Sequence, residues 1–252
     1  MIYNKRNIKE LIMATYPAGD ITKEKLYSTA KRLFYEKGYY DTTMKEVCQI
    51  AGIKQSVFYY HYKNKNELAK RLYTDFGERH SGAIGREIIR NSYRADIITA
   101  NCVCTALYFI NTMADEHLNK FWAEMYLDNM PSHIEFYRHR YRNMYKRRGL
   151  DPNDPEFDFF IVSCTSINGP LLMGYYDGSF NASPEDIAVY KTKHTLRNLR
   201  MNEEEVEKRT ADIMDIASKI NITAGENFSI YLNGINVEEL APPGAASEKI
   251  FM

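Results

Sequence analysis

Apolar residues recur at helical spacing along most of this chain, and two-residue alternation is weak. Leu26, Ala30, Leu33 and Phe34 follow the i, i+4, i+7, i+8 rule between Thr22 and Gly38, predicting a first helix capped by Thr22. Thr43-Met-Lys-Glu46 reads as a capping box: the threonine oxygen takes one free N–H and the glutamate reaches back to another. Val47, Ile50 and Ala51 then form a short apolar face, which Gly52 stops. A third short helix is predicted over about 55–62. Asn64-Lys-Asn-Glu67 is a second capping box, opening a long helix with Leu68, Leu72, Tyr73 and Phe76 inward. Beyond residue 80 the pattern predicts helices near 95–114, 117–129, 132–148, 156–177, 184–200 and 203–221. Ser183-Pro-Glu-Asp and Asn202-Glu-Glu-Glu give the last two a cap and acids at the positive helix end. The tail from Ile222, with Pro242-Pro-Gly, alternates weakly and reads as a partly irregular arm.

Two predicted helices contain stretches of 18 residues without charge, Ile97–Ala114 and Phe159–Tyr176. Their length suits a membrane span. Thr99, Asn101, Thr105, Asn111 and Thr112 in the first, and Ser163, Thr165, Ser166 and Asn168 in the second, fit helices enclosed by protein better. Pro170 is expected to kink the second and to open space beside it.

Charge changes the picture. The 252 residues carry 33 basic and 33 acidic side chains, but residues 1–80 hold 15 Lys/Arg against 9 Asp/Glu, and the remainder 18 against 24. A net of +6 followed by −6 suggests an anionic partner for the N-terminal third, although a solvated basic face gives the same count. Four cysteines form no disulfide framework or zinc pattern, and Cys102-x-Cys104 lacks a second pair, so small core residues in a reducing, cytoplasmic setting are expected. No cofactor or metal is expected. With no Gly-rich phosphate loop, His-x-x-x-His, serine elbow or paired carboxylates, the sequence gives no reason to expect an enzyme.

The stretch "GIKQSVFYYHYKNKNEL", residues 52–68, interleaves aromatics with lysine and amides. On a short helix Phe58 and Tyr62 share one face, and are expected to pack against Val47, Ile50 and the first helix. Tyr59, Tyr60 and His61 then point outward or sideways. Two short helices separated by Gly52-Ile-Lys make a helix-turn-helix. Over residues 22–76 the chain resembles the TetR family of transcriptional regulators, in the Gly-Tyr, Thr-Thr-Met, Ile-Ala-Gly-Ile, Phe-Tyr-Tyr-His-Tyr and Lys-Asn-Glu-Leu elements of "AKRLFYEKGYYDTTMKEVCQIAGIKQSVFYYHYKNKNEL".

The resemblance implies an all-α protein: an N-terminal three-helix helix-turn-helix DNA-binding domain, then a larger helical ligand-binding and dimerisation domain. The expected boundaries are an extension over 1–20, the reader over 21–66, the larger domain over 67–222 and the arm over 223–252. Tyr59 looks like the family's phosphate-contacting tyrosine and Lys65 like its phosphate-binding lysine. Gln55, Ser56 and Val57 take the first turn of the recognition helix, where Gln55 can pair with adenine and Val57 can touch a thymine methyl. Lys45 and Thr43 are placed to reach base or phosphate from the second helix. Lys54 stands where the family often has serine or threonine, so the recognition helix loses its usual cap and the lysine becomes a candidate phosphate donor. With no arginine present for guanine, an A/T-leaning operator is expected. Lys5, Arg6 and Lys9 are candidate minor-groove residues, with a solvated tail as the alternative.

The family's C-terminal helices enclose a small-molecule effector and pair two copies. Phe109, Met113, Trp122, Met125, Tyr126, Tyr137, Tyr141 and Phe160 are candidate lining residues, with Asn111, His117, Thr165 and Asn168 as polar selectors; ordinary helix packing is the alternative at each. In "YRHRYRNMYKRR", residues 137–148, the tyrosines follow i+4 spacing and the arginines are expected mostly on the other, solvated faces, an acidic ligand being the sharper alternative. The expected partners are a palindromic double-stranded operator, an effector and a second copy of the chain, with repression relieved by the effector and no membrane partner. A DNA-binding or architectural protein without an effector is the alternative.

Overall fold

The structure is a computed structural model and describes residues 18–129 and 134–240. The segment expected to read DNA, called the reader below, consists of α1 (Ala18–Lys37), α2 (Met44–Ala51) and α3 (Gln55–His61). α1 already includes Ala18, so Thr22 lies inside the helix and not at its cap. Thr43 does cap α2, its oxygen accepting the Glu46 N–H at 3.2 Å, but the return bond is not made. Glu46 pairs with Lys37 at 2.5 Å instead. Leu26, Ala30, Leu33 and Phe34 of α1 are buried with Val47, Cys48 and Ala51 of α2.

α4 (Lys65–Arg90) is 26 residues long and joins the reader to the rest. Asn64 caps it, accepting from the Glu67 N–H at 3.0 Å, while Glu67 accepts from the Lys63 N–H at 2.6 Å. Its first turns are fastened to α1: Tyr27 donates to Asp75 at 2.6 Å, and the Arg71 guanidinium lies 3.9 Å from the Tyr27 ring centre.

The larger part contains α5 (Ile97–Met113), α6 (Glu116–Asn129), α7 (Ile134–Arg147), α8 (Glu156–Ser166), α9 (Asn168–Tyr176), α10 (Pro184–Asn198) and α11 (Glu203–Ser218). The first uncharged segment, α5, is buried around most of its circumference, packing against α4, α6, α7, α10 and α11. The second is broken between α8 and α9. Pro170 has no N–H for the Ser166 carbonyl four residues back, and Ser166 is the last residue of α8. Gly169 follows the break and packs closely on α6: a Cβ there would lie 3.2 Å from Tyr126 and Leu127. The predicted Ser183 capping box is formed in full with Asp186.

The segment after α11 departs most from its sequence pattern. β1 (Ile222–Gly225), β2 (Ser229–Leu232) and β3 (Ile235–Asn236) make an antiparallel sheet in the order β1-β2-β3, with Ile222 opposite Leu232 and Tyr231 opposite Asn236, and α12 (Val237–Leu240) follows. The weak alternation was a real strand signal: Ile230 and Leu232 are buried, and Ser229 and Tyr231 are less so. A 3-10 turn between β1 and β2 carries Phe228, wholly buried with φ +56°, a backbone that bulky residues avoid. Its ring lies 5.0–6.4 Å from those of Phe121, Trp122, Tyr35 and Phe76, so one side chain joins α1, α4 and α6. Glu238 binds Arg79 of α4 at 2.5 Å. Lys5, Arg6, Lys9 and Pro242-Pro-Gly lie outside the described residues.

Candidate nucleic-acid interface and interior cavity

α3 is a seven-residue helix whose sequence divides it into an anchor and a free surface. Phe58 is 0% exposed, while Tyr59 and Tyr60 are 60% and 85% exposed. Gln55, Ser56 and Val57, on the first turn, are exposed as well. Tyr62, at the C-cap, adds a second anchor: its hydroxyl accepts from Arg71 at 2.9 Å and donates to the Lys23 carbonyl at 3.3 Å. His61 is less free than its tyrosine neighbours. It is half-buried, 5.0 Å from the Tyr60 ring and beside Gly19 of α1. Lys54 occupies the N-cap without a side-chain cap bond, and Thr43, Lys45 and Lys54 are all exposed. Ile50, expected to face inward, is exposed instead. α2 buries Val47, Cys48 and Ala51, and on a helix position 50 lies roughly 100° from the centre of that face.

Lys65 does more than the sequence pattern indicates. Its ammonium donates to the Tyr39 carbonyl at 2.7 Å, reaches the Tyr40 carbonyl at 3.4 Å and lies 4.2 Å from the Tyr39 ring centre. Burial lowers its pKa, against the opposing pull of Asp128, Glu124 and Asp41. The loop it holds is also tied to α6. Glu124 accepts from the Tyr40 N–H at 2.9 Å, Tyr39 donates to Asp128 at 2.9 Å and Lys120 donates to the Lys37 carbonyl at 2.8 Å. Gly38 makes this approach possible: φ is +88°, and a Cβ would sit 2.7 Å from a Glu124 oxygen.

Between α4, α5, α6, α7 and α9 lies a cavity of about 40 Å³. Phe109, Tyr126, Tyr137, Tyr141 and Asn168 line it, as expected. Met113, His117, Trp122 and Phe160 are not among its walls. Trp122 packs in the aromatic junction with Phe228, His117 lies 4.9 Å from Tyr35, Phe160 packs on Tyr145 and Tyr141, and Met113 is buried near the end of α5. The cavity also takes Tyr73, expected inward on its helix, and His80, Tyr108 and Arg140, which the hydrophobic pattern did not single out. Arg140 was legible from one relation: three residues after Tyr137, it neighbours that tyrosine on the helix surface.

The polar groups around the cavity are organised. Tyr137 hydrogen-bonds both Tyr73 and Tyr126, the latter at 3.1 Å. The Asn111 amide donates to His80 Nε2 at 3.1 Å, which leaves the His80 proton on Nδ1. Burial, reinforced by Arg140, pushes the His80 pKa down to about 3, so the ring is neutral at pH 7.

Residues 26–72 match the family model of bacterial regulatory proteins, tetR family. The chain is similar to the HTH-type transcriptional regulator TtgR of Pseudomonas putida, 29% identical over 70 residues, covering 28% of this chain and 33% of that one. It is also similar to the biofilm operon icaADBC HTH-type negative transcriptional regulator IcaR of Staphylococcus epidermidis, 41% identical over 49 residues, 19% of this chain and 26% of that one. A solved gamma-butyrolactone receptor (ArpA like protein) is 15% identical, covering 81% of this chain and 99% of that chain with a TM-score of 0.32. The chain spans about a third or less of the length of the curated relatives it matches. The matched span runs from the first helix of the reader into α4, through the anchored and exposed residues of α3. Over that segment the chain matches the helix-turn-helix of tetR-family regulatory proteins.

Proposed function

We propose that this chain is a DNA-binding transcriptional regulator, not an enzyme, with residues 21–66 as the reader and 67–222 as the part that pairs two copies and receives an effector. The observation that carries this is the divided surface of α3, where Phe58 and Tyr62 are anchored while Gln55, Ser56, Val57, Tyr59 and Tyr60 are left outside. Gln55, Ser56 and Val57 read base edges in the major groove, and Tyr59, Lys45, Lys54 and Lys65 hold phosphate, flanked by Thr43, Tyr60 and His61. The protein acts as a repressor in a cytoplasmic setting, in keeping with the name of its Staphylococcus relative.

Pairing is supported by an apolar face. Phe159 of α8 is 69% exposed and Tyr190 of α10 52%, with Val162 also exposed, an expensive arrangement for a lone molecule. A two-fold dimer places the two recognition helices on half-sites about one turn apart, centres roughly 34–36 Å from each other. Effector control is supported by two helices that join cavity to reader. α4 carries Tyr73 and His80 at the cavity and Lys65 at the reader, and α6 carries Tyr126 at the cavity and Lys120, Glu124 and Asp128 at the loop. A regulator without an effector is the second reading, and the cavity favours it over any drug-sized ligand: about 40 Å³ is far below the ~300–1,000 Å³ of such sites.

Selection from a randomised duplex library tests the reading. A palindrome with half-sites about one turn apart, bound as a dimer and enriched in A/T, is expected. Recovery of no consensus above the unselected pool would refute it.

A further inference from the structure

Two cations of the larger part, one buried and one part-exposed at the cavity, have no acid beside them among the described residues. Lys191 is wholly buried, its ammonium bonded only to the Cys164 carbonyl at 2.5 Å and the Thr195 hydroxyl at 3.3 Å among the described residues. Arg140 lines the cavity. Its one hydrogen bond among the described residues runs from Nε to Asn101 Oδ1 at 3.0 Å, so the two terminal guanidinium nitrogens find no partner there. No carboxylate among the described residues comes within ion-pair distance of either cation, whereas Arg138, Arg148 and Arg209 each have one. Arg140 is part-exposed, so its charge is not stranded, but the unengaged edge of its guanidinium at the cavity offers two parallel N–H donors, the arrangement that grips an anion.

A second observation comes from the part of the wall that α9 supplies. Asn168 is buried at the α8–α9 break, and its Oδ1 has no donor. An orphaned buried acceptor calls for an N–H or O–H group. The volume of about 40 Å³ holds roughly three water-sized positions, the bulk of a two- or three-carbon molecule. A single occupant that satisfies both walls has an anionic end for Arg140 and a hydroxyl for Asn168.

We propose that this cavity binds a small hydroxy acid, its carboxylate clamped by Arg140 and its hydroxyl donating to Asn168 Oδ1. This rests on the effector reading above and names the chemical class of the effector. The tyrosine hydroxyls of the wall shape the site. Trp122, the only tryptophan in the chain, reports on it because its ring lies 5.8 Å from that of Tyr73 and 6.0 Å from that of Tyr108.

The test titrates the full chain with sodium glycolate, sodium acetate, glycolamide and acetamide at ionic strength fixed with sodium chloride. Trp122 fluorescence and the thermal midpoint are followed. Glycolate is expected to saturate and raise the midpoint, with roughly fivefold higher affinity than acetate, the worth of one added hydrogen bond. Neither amide should saturate. Arg140→Met should lose the glycolate response while remaining folded by circular dichroism. Amides binding as well as acids, equal affinity for glycolate and acetate, or an Arg140→Met protein that still saturates with glycolate would each overturn the proposal. The acid-against-amide comparison needs only the wild-type chain, so it stands even where a variant fails to fold. Failure here leaves sequence-selective DNA binding untouched, and failure of the regulator reading shows in the duplex selection, independently of any acid.

Discussion

Replacing Lys65 by alanine tests whether one ammonium both builds the reader and grips DNA. It makes a charge-assisted bond to the Tyr39 carbonyl at 2.7 Å, a longer one to Tyr40 at 3.4 Å, and lies over the Tyr39 ring. A hydrogen bond to a charged group is worth about 1.5–3 kcal/mol and an exposed cation–π contact about 0.5–1 kcal/mol. Lys65 is part-exposed, which discounts both, so a loss of about 2 kcal/mol in urea unfolding is expected. An ammonium has three donors, and two are committed to carbonyls. The third is left for a phosphate at the positive end of α4, and losing that contact should flatten the log–log salt dependence of DNA binding by about 0.9. Lys45→Ala is the control. That side chain is exposed, so the variant should change the slope similarly while leaving stability within about 0.5 kcal/mol of wild type. Fluorescence anisotropy at several salt concentrations, beside urea titration, separates the effects. A Lys65→Ala protein with lowered stability but an unchanged slope would refute the phosphate role, and altered base preference would show that the reading helix is rotated from its assigned position.

Gln55→Ala should weaken selected duplexes by roughly 1–3 kcal/mol and scrambled ones hardly at all, as read by competition binding. Phe58→Ala should cost about 3–5 kcal/mol, because the ring is wholly buried; a smaller loss in urea unfolding would mean that the site collapses around the gap. Phe159→Asp should convert dimer to monomer in sedimentation equilibrium at micromolar concentration with the fold intact by circular dichroism, and a persisting dimer would place the pairing face elsewhere. His80 has a folded pKa of about 3 against about 6.5 in the unfolded chain, so the unfolded state takes up the proton first as pH falls. Stability should therefore drop by about 2 kcal/mol between pH 7 and 5 from this residue alone. His80→Gln should lack that share of the drop, and identical pH profiles for the two proteins would contradict a buried neutral imidazole.

The reader was legible because its signals are local. Thr43, Gly52 and Asn64 act on backbone groups within a few residues, and the Phe58–Tyr62 spacing decides which side of a short helix is buried. Local signals also misled. Thr22 looked like a start only because the apolar pattern begins after it, and Ile50 was assigned inward by spacing on a helix whose true face centres between Val47, Cys48 and Ala51. The carbonyl partners of Lys65 lie 25 and 26 residues away, a relation no period encodes. The cavity depends on how five helices dock, so residue type alone could not separate Tyr126, at the cavity, from Trp122, one turn earlier in the packed junction. The strands were too short and too weakly alternating to stand out from an irregular tail.

The Phe228 junction also imposes an order on synthesis. Its socket, formed by Tyr35, Phe76, Phe121 and Trp122, has been made by residue 122, yet the ring that fills it comes more than 100 residues later. At translation rates of about 5–20 residues per second, those aromatic walls wait roughly 5–20 s for their plug. The packing of α1 against the larger part is therefore completed only after residue 228 has been synthesised. During that interval the nascent protein presents an unfilled aromatic notch beside α1. A chain that stops short of Phe228 keeps the ties of Lys37, Tyr39 and Tyr40 to α6 but lacks the ring that packs α1, α4 and α6 together.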